Sequence, residues 1–133
     1  MEAITQRQSQ KEQTRKSLIR AASALFSRKG IHATATADVA RQLKLSHGTV
    51  FVHFPKREDL ILAVIDDFGV RLAAELARAI KSESEIEKIL RAHIRTLSEF
   101  EDFYFRILSE LHFLPGPIRS TVFMLNSAVS WKL

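Results

Sequence analysis

The sequence predicts an all-α fold, and three observations agree on it. Apolar residues recur every three or four positions over most of the chain, which is the spacing of one face of an α-helix. No segment shows sustained alternation of apolar and polar residues, the pattern of a half-buried strand. Only three prolines and four glycines occur, and most of them lie where one predicted helix ends and the next begins.

The amino-terminal residues are predicted to form an arm followed by one helix. Residues 1–10 are polar and are expected to be disordered, and the first helix is expected at 11–29. Gly30 follows two basic residues, so it is predicted to stop this helix with a left-handed backbone. The buried face of the helix is expected to consist of Leu18, Ala22, Leu25 and Phe26.

Two short helices follow. The first of them is expected at 36–43, with Thr34 or Thr36 as its cap, and the other at 47–54, capped by Ser46. A proline ends the latter helix because it lacks the backbone donor that the next turn would need.

The rest of the chain is predicted to hold a long fourth helix, at about 57–81, and three further helices. Ser84 and Glu87 form a capping-box pattern that opens the fifth helix, and a Pro-Gly-Pro break precedes the last one. We expect these three helices at about 85–97, at about 100–111, and from the break to about residue 130.

Composition excludes several classes of protein. The hydrophobic fraction of 46% is sufficient for a buried core, so wholesale disorder is not expected. Cysteine is absent, which removes disulfides, thiolate metal sites and cysteine nucleophiles. No apolar run approaches the roughly 18 residues of a membrane span, and no secretory signal is evident. We therefore expect a soluble cytoplasmic protein that contacts no membrane and needs no cofactor.

Positive charge is concentrated at one end of the chain. Residues 1–57 have eleven Lys and Arg against three acids, a net charge of +8, whereas residues 58–133 have nine against twelve, a net charge of −3. This asymmetry suggests that the first part faces a polyanion. Basic residues that only solvate the first helix would give the same pattern.

Residues 34–60 have the pattern of a helix-turn-helix that runs into a longer helix. Its second helix is small and polar at the front and apolar behind, at Val50 and Phe54. A helix that enters a DNA groove needs small donors and acceptors at its tip and a hydrophobic anchor at its rear. The segment therefore predicts double-stranded DNA as the partner.

The same region resembles the N-terminal domain of the tetracycline-repressor (TetR) family. The residues that carry the resemblance are Gly30, Thr34, Val39, Ala40, Leu45, Ser46, Gly48, Thr49, Phe51, His53, Phe54, Pro55, Glu58, Asp59 and Leu60. It implies a three-helix DNA-binding head at residues 11–56. The fourth helix would join that head to a helical domain at 57–133, which in this family binds a small ligand and forms a homodimer. Family members continue for two more long helices, so this second domain is expected to be incomplete here.

The resemblance also implies which residues contact DNA. Thr34 or Thr36 and Arg41 would lie near one phosphate strand, and Lys44 in the turn could add a phosphate contact. The residues facing base edges or phosphates in the major groove would be Ser46, His47, Gly48 and Thr49. Those facing the opposite strand would be Phe51, His53, Lys56 and Arg57.

Physical chemistry supports several of these assignments. Gly48 leaves room for close approach of the backbone, and the methyl group of Thr49 suits a thymine methyl. The free amides at the start of the fourth helix, near Lys56 and Arg57, favour an anion.

This sequence departs from the family pattern at three positions. Lys44 stands where glycine is usual, and a left-handed backbone there costs roughly 1 kcal/mol. Phe51 stands where tyrosine is common and cannot offer a hydroxyl to phosphate, and Val52 replaces a polar or basic residue. These departures predict weaker backbone contacts or a different operator.

The second half offers a less specific site. Aromatic and polar side chains there could line a pocket for a small ligand, and the candidates are His93, Phe100, Phe103, Tyr104, His112 and Met124. The alternative is that the aromatic residues pack the core. His93 and His112 lack the regular spacing of metal ligands.

Two functions of different kinds remain open at this point. The first is a repressor that binds a palindromic operator as a homodimer and is released by a small ligand, which changes the separation of the two recognition helices. The second is a shortened interaction protein that pairs with a full-length relative and modulates it. An enzyme is not expected, because the sequence has no nucleophile motif, phosphate-binding loop or evident carboxylate pair.

Overall fold

The structure is a computed structural model of the 133-residue chain, and it describes residues 2–81 and 85–131. Within these ranges the side chains of residues 2–4, 79–80, 92–93, 99 and 128–131 are outside the description. The described residues contain helices and no strand, which confirms the all-α prediction. The elements are α1 (Glu2–Lys29), α2 (Thr36–Gln42), α3 (His47–His53), α4 (Arg57–Lys81), α5 (Ile86–Glu99), α6 (Glu101–Ser109), a short 3₁₀ helix (Leu111–Phe113) and α7 (Gly116–Trp131).

Helix α1 begins at Glu2, so the prediction of a disordered arm at residues 1–10 was wrong for residues 2–10. The arm was inferred from polarity, but its glutamines, glutamate and arginine are good helix formers, and neither glycine nor proline interrupts them. The predicted buried face is confirmed, with Leu18, Ala22, Leu25 and Phe26 at most 5% exposed.

Gly30 stops α1 as predicted. Its φ is 100°, a left-handed value that suits a residue without a Cβ, and its amide donates to the carbonyl of Phe26 at 2.9 Å. The chain therefore leaves α1 through a tight turn that leads directly into α2.

Helix α2 is capped differently from the prediction, because neither threonine caps it. Ala35 occupies the cap position, and its amide donates to the carboxylate of Asp38 at 2.8 Å. Asp38 also accepts from Lys29 at 2.9 Å and forms an ion pair with Arg41 at 3.3 Å. The Asp38 carboxylate thus accepts from a backbone amide at the start of α2 and links that helix to the end of α1.

The ion pairs of Asp38 predict a pH effect on stability. The hydrogen bond from the Ala35 amide, followed by that from Lys29, lowers the pKa of Asp38 below its ordinary value of 3.8. Because the folded pKa is below the unfolded one, the stabilisation is present above pH 3.8 and is lost as the pH falls through the lowered folded value.

We therefore expect Asp38→Asn to lower the urea midpoint at neutral pH. The difference from the unmodified chain should shrink as the pH is brought below about 4. A difference that persists unchanged at about pH 3 would contradict this role for the carboxylate.

Helix α3 is capped by a side chain that precedes it, whereas α4 is capped by a side chain within its own first turn. Ser46 caps α3 as predicted, since its hydroxyl accepts from the amide of Thr49 at 3.2 Å. At the start of α4, the amide of Lys56 donates to Asp59 at 2.9 Å. Both short polar side chains satisfy amides that have no partner within the helix.

The chain divides into two compact units, Met1–Val64 and Ile65–Leu133. The predicted boundary at 56/57 lies earlier, because the first two turns of α4 belong to the first unit. Leu60, Ile61 and Val64 on these turns are at most 1% exposed, which extends the hydrophobic core of the first unit into α4.

The second unit contains an aromatic cluster around Phe68 of α4. The rings of Phe100 and Phe103 lie 5.3 and 4.9 Å from it, and Tyr104 stacks at 6.2 Å. Gly69 is in close contact with α7, since a Cβ added there would lie 3.0 Å from Leu125.

The helix bounds in the second unit differ slightly from the predictions. α5 extends to Glu99 and α6 is separated from it by Phe100 alone, while residues 111–113 form a 3₁₀ turn rather than the end of α6. The predicted cap residue Ser84 lies outside the described residues. In the described ranges, no helix has the length and apolar character needed to cross a membrane.

Candidate DNA-binding interface

The amino-terminal tip of α3 faces solvent. Ser46, His47 and Gly48 are exposed and Thr49 is half-buried. The hydroxyls of Ser46 and Thr49 lie 2.9 Å apart, so each orients the other. A Cβ added to Gly48 would meet only the Ser46 hydroxyl, at 3.9 Å, which leaves open space in front of the backbone.

The rear of α3 is anchored in the core. Val50 is 1% exposed and Phe54 is 2% exposed, whereas Phe51 and Val52 are 50% and 69% exposed. The helix therefore presents its polar tip and one side outward while its opposite side is held by packing. This arrangement matches the prediction from the sequence pattern.

The turn between α2 and α3 contains the strained backbone that the sequence predicted. Lys44 has a φ of 56°, which confirms a left-handed conformation at a non-glycine residue. The amide of Leu45 then donates to the carbonyl of Ala40 at 2.9 Å. The Lys44 side chain is exposed, so its ammonium group remains available to a phosphate.

His47 connects the two helices of the motif. Its Nε2 lies 3.4 Å from the hydroxyl of Thr36, and its ring meets Phe51 edge-on at 4.7 Å. The structure thus gathers three of the predicted DNA-binding residues in one exposed cluster that spans α2 and α3.

Two of the predicted DNA-binding residues donate to carbonyl groups of the first unit, and of these Thr34 is buried whereas Arg57 remains exposed. Thr34 is 2% exposed, and its hydroxyl donates to the carbonyl of Gly30 at 2.7 Å, so it is withdrawn as a phosphate contact. The guanidinium of Arg57 donates to the carbonyls of Ile31 and Thr34 at 2.5 and 3.1 Å. Its first role is to hold the α1–α2 turn against the start of α4.

We expect Arg57→Gln to lower the free energy of unfolding by about 1–3 kcal/mol, because carbonyl groups in the α1–α2 turn lose a charged donor. Arg57→Lys is the matched control, since it keeps the charge but lacks the planar fork that reaches two carbonyls. Urea denaturation measures both. Full stability of the lysine variant would show that the charge, rather than the fork, is what stabilises the turn.

The remaining predicted contacts are accessible. The side chain of Arg41 is 77% exposed although it pairs with Asp38, and Lys56 is exposed at the start of α4. His53 is half-buried at the end of α3. Burial, followed by the charges of Lys11 and Arg15, lowers the pKa of His53. Sequence reasoning missed these two basic residues, because residues 1–10 were expected to be disordered and α1 was treated as a scaffold.

The structure does not gather the six predicted pocket residues. Phe100, Phe103 and Tyr104 belong to the aromatic cluster, where the Tyr104 hydroxyl donates to the side chain of Asn126. Burial raises the pKa of that phenol, so it remains a donor at neutral pH. His112 and Met124 are exposed, which contradicts a role in lining a pocket, and the side chain of His93 lies outside the description. No group of three or more potential metal-binding side chains occurs in the described part of the chain.

Comparison with known proteins identifies the first unit. A family model described as bacterial regulatory proteins, tetR family, matches residues 18–64. The chain is 35% identical over 91 residues to the HTH-type transcriptional repressor Rv3405c of Mycobacterium tuberculosis, covering 66% of this chain and 46% of that protein. It is 31% identical over 78 residues to the HTH-type transcriptional regulator TtgR of Pseudomonas putida, covering 59% and 37%. The chain therefore spans about half or less of the length of these relatives.

Solved structures agree on the fold. A transcriptional regulator (TerR/AcrR family) from Aquifex aeolicus is similar with a TM-score of 0.73 and 19% identity, covering 90% of this chain and 68% of that one. The TetR family transcriptional regulator PfmR from Thermus thermophilus has a TM-score of 0.68 and 23% identity, covering 87% and 65%. Residues 18–64, which contain the helix-turn-helix, thus match the tetR family of bacterial regulatory proteins, and the fold of the chain is similar to that of solved regulators.

Proposed function

We propose that this chain is a DNA-binding transcriptional regulator, not an enzyme, and that α3 enters the major groove of a duplex. The observation that carries the proposal is the exposed polar tip of α3 mounted on a buried apolar anchor. A tip held rigidly by the core can present Ser46, His47 and Thr49 to base edges with little loss of side-chain freedom. Lys44 and Lys56, on either side of α3, are suited to the flanking phosphates.

The direct test is selection of bound sequences from a random pool of duplex DNA. We expect enrichment of one sequence, followed by an affinity that falls linearly with the logarithm of salt concentration when measured by fluorescence anisotropy. A scrambled duplex of the same length and composition is the control. Absence of enrichment, or binding that does not respond to salt, would overturn the proposal.

We further propose that the chain acts as a homodimer on a palindromic operator. Ile86, Leu90 and Ile94, spaced four residues apart on α5, are 77%, 48% and 65% exposed, an apolar stripe that a second copy could cover. A dimer must place its two recognition helices about 34–36 Å apart, or at a multiple of that spacing, to reach successive major grooves. An inverted repeat in the selected sequence, together with a dimer by sedimentation, would support this step.

We also propose that this chain is a repressor and that a small effector relieves the repression. The effector would bind in the second unit near the aromatic cluster, where the Tyr104–Asn126 pair supplies polar groups among apolar ones. It needs only to bind the DNA-incompetent arrangement more tightly in order to shift the population. Release of the selected duplex by a compound that is shown by isothermal titration calorimetry to bind the protein would support it, and release without binding to the protein would not.

The exposed stripe on α5 is equally compatible with the alternative of an interaction protein that pairs with a full-length relative. Sedimentation separates the two functions. A monomer that binds DNA weakly by itself but displaces a full-length relative from its duplex would favour the alternative.

A further inference from the structure

An open groove lies between the first half of α1 and the carboxyl-terminal end of α3. Its volume is about 470 Å³, and the residues that line it are Gln8, Lys11, Glu12, Arg15, Val52 and His53. Gln8 contributes to it because the residues before Lys11 are helical and continue the surface of α1. The groove thus joins α1, which precedes the helix-turn-helix, to the end of α3.

Three basic side chains and one acidic side chain line this groove. Lys11 and Arg15 are exposed, and neither forms an ion pair with any residue that the structure describes. The guanidinium of Arg15 lies 4.6 Å from the centre of the Phe54 ring, which positions its charge at the end of α3. Glu12 is the only acidic residue among those lining the groove.

His53 reports the uncompensated charge. Its pKa is lowered by burial first and then by Lys11 and Arg15. The two cations therefore lie close enough to His53 to disfavour its charged form, although Glu12 also lines the groove. A negatively charged group in the groove would be attracted to all three side chains.

The position of the groove relative to the α3 tip suits a DNA phosphate. A helix of seven residues is about 10 Å long, at about 1.5 Å per residue. The major groove of B-DNA is about 12 Å wide. When α3 lies across the groove with its front on base edges, its far end lies near the backbone that borders the same groove.

We propose that this groove binds one phosphate of the DNA backbone through Lys11, Arg15 and His53, which adds a contact from α1 to those of the helix-turn-helix. The inference rests on the proposed DNA binding and goes beyond it. Lys11 and Arg15 supply charge, and His53 donates a hydrogen bond. Glu12 opposes the contact, because its carboxylate repels the phosphate.

Proton uptake accompanies this contact. The phosphate offsets the two cations and raises the pKa of His53 in the complex above that in the free protein, so the complex holds the extra proton. Affinity then rises as the pH falls through the pKa of the complex, and it levels off below the pKa of the free protein, which is under 6.5. One linked proton changes the affinity by at most about tenfold per pH unit.

Fluorescence anisotropy with a labelled mixed-sequence duplex of about 25 base pairs tests the groove without knowledge of the operator. We expect Lys11→Gln and Arg15→Gln each to reduce the slope of log affinity against log salt, by no more than the value of about 0.9 that one phosphate contributes. Arg15→Lys should keep the slope of the unmodified chain. Glu12→Gln should tighten binding, and Arg119→Gln, which removes the same charge from α7, should leave the slope unchanged.

Measuring the DNA affinity over a series of pH values tests the contribution of His53. Between about pH 8 and 5.5 the unmodified chain should bind progressively more tightly, and His53→Gln should lose that part of the gain. Circular dichroism confirms that each variant is folded, and the exposed Lys11 and Glu12 variants remain informative if Arg15→Gln or His53→Gln unfolds.

The outcomes separate this inference from the proposed function. If the unmodified chain does not bind duplex DNA, the proposed function fails and the inference fails with it. If it binds but Lys11→Gln keeps the full salt slope and Glu12→Gln leaves the affinity unchanged, the groove proposal alone is overturned.

Discussion

Replacing Gly48 by glutamate is expected to weaken binding to the selected duplex by about a hundredfold while leaving the chain folded. A Cβ at this position has only the Ser46 hydroxyl within 4 Å, so the free protein accommodates the new side chain. In the complex, the same side chain would occupy the space between the α3 backbone and the bases. Its carboxylate would also lie among phosphates.

The stability of the Gly48 variants shows whether weaker binding is caused by a clash in the major groove of DNA or by unfolding of the protein. Removing glycine from a helix is expected to stabilise it by up to about 1 kcal/mol. Gly48→Glu should therefore bind worse although its urea midpoint does not fall. Gly48→Ala is the matched control and should retain most of the affinity. Equal affinities for the glutamate variant and the unmodified chain would mean that the tip of α3 does not face DNA.

Phe54→Ala is expected to lower the free energy of unfolding by about 3–5 kcal/mol, the usual cost of emptying a buried phenylalanine site. Phe54 is 2% exposed, and it also supports the Arg15 guanidinium on its ring face. Its loss would leave α3 without the anchor that holds the polar tip outward. DNA binding, measured by fluorescence anisotropy, should fall in parallel with the folded fraction. Urea denaturation monitored by circular dichroism measures the folded fraction.

Phe51→Ala is the control for that substitution. Phe51 lies three residues earlier in the chain, within α3, and is 50% exposed, so its removal should cost less than about 1 kcal/mol. Similar losses for the two alanine variants would mean that α3 buries a different side from the one described. The pair thus tests the orientation of the recognition helix directly.

Local features of the DNA-binding head could be predicted because they depend on residues close in sequence. The stop at Gly30 and the Ser46 cap follow from backbone geometry and short-range hydrogen bonds. The left-handed backbone at Lys44 was implied by the resemblance, because glycine is usual at that position. The cap of α2 could not be assigned in the same way. The sequence offered Thr34 or Thr36, whereas in the structure the amide of Ala35 donates to Asp38, which also pairs with Lys29.

The second unit was harder to predict, because amphipathic spacing identifies helices without saying what covers them. Phe103 packs against Phe68, as a core residue would, whereas Met124 on α7 is 72% exposed. Both are large apolar residues in helical patterns, so the sequence could not tell them apart. The prediction that Met124 lines a pocket was wrong for this reason.

The sequence by itself determined that the chain is helical and where most helices start and stop. It also determined that a helix-turn-helix resembling that of the tetR family lies near the amino terminus, because each of these features depends on local pattern and spacing. Only the tertiary structure decided the roles of Thr34 and Arg57, since both are set by carbonyl groups brought close by folding. It also decided that Lys11 and Arg15 meet His53 across about forty residues of chain. Long-range packing determines which polar groups face each other, and that information is distributed over the whole first unit.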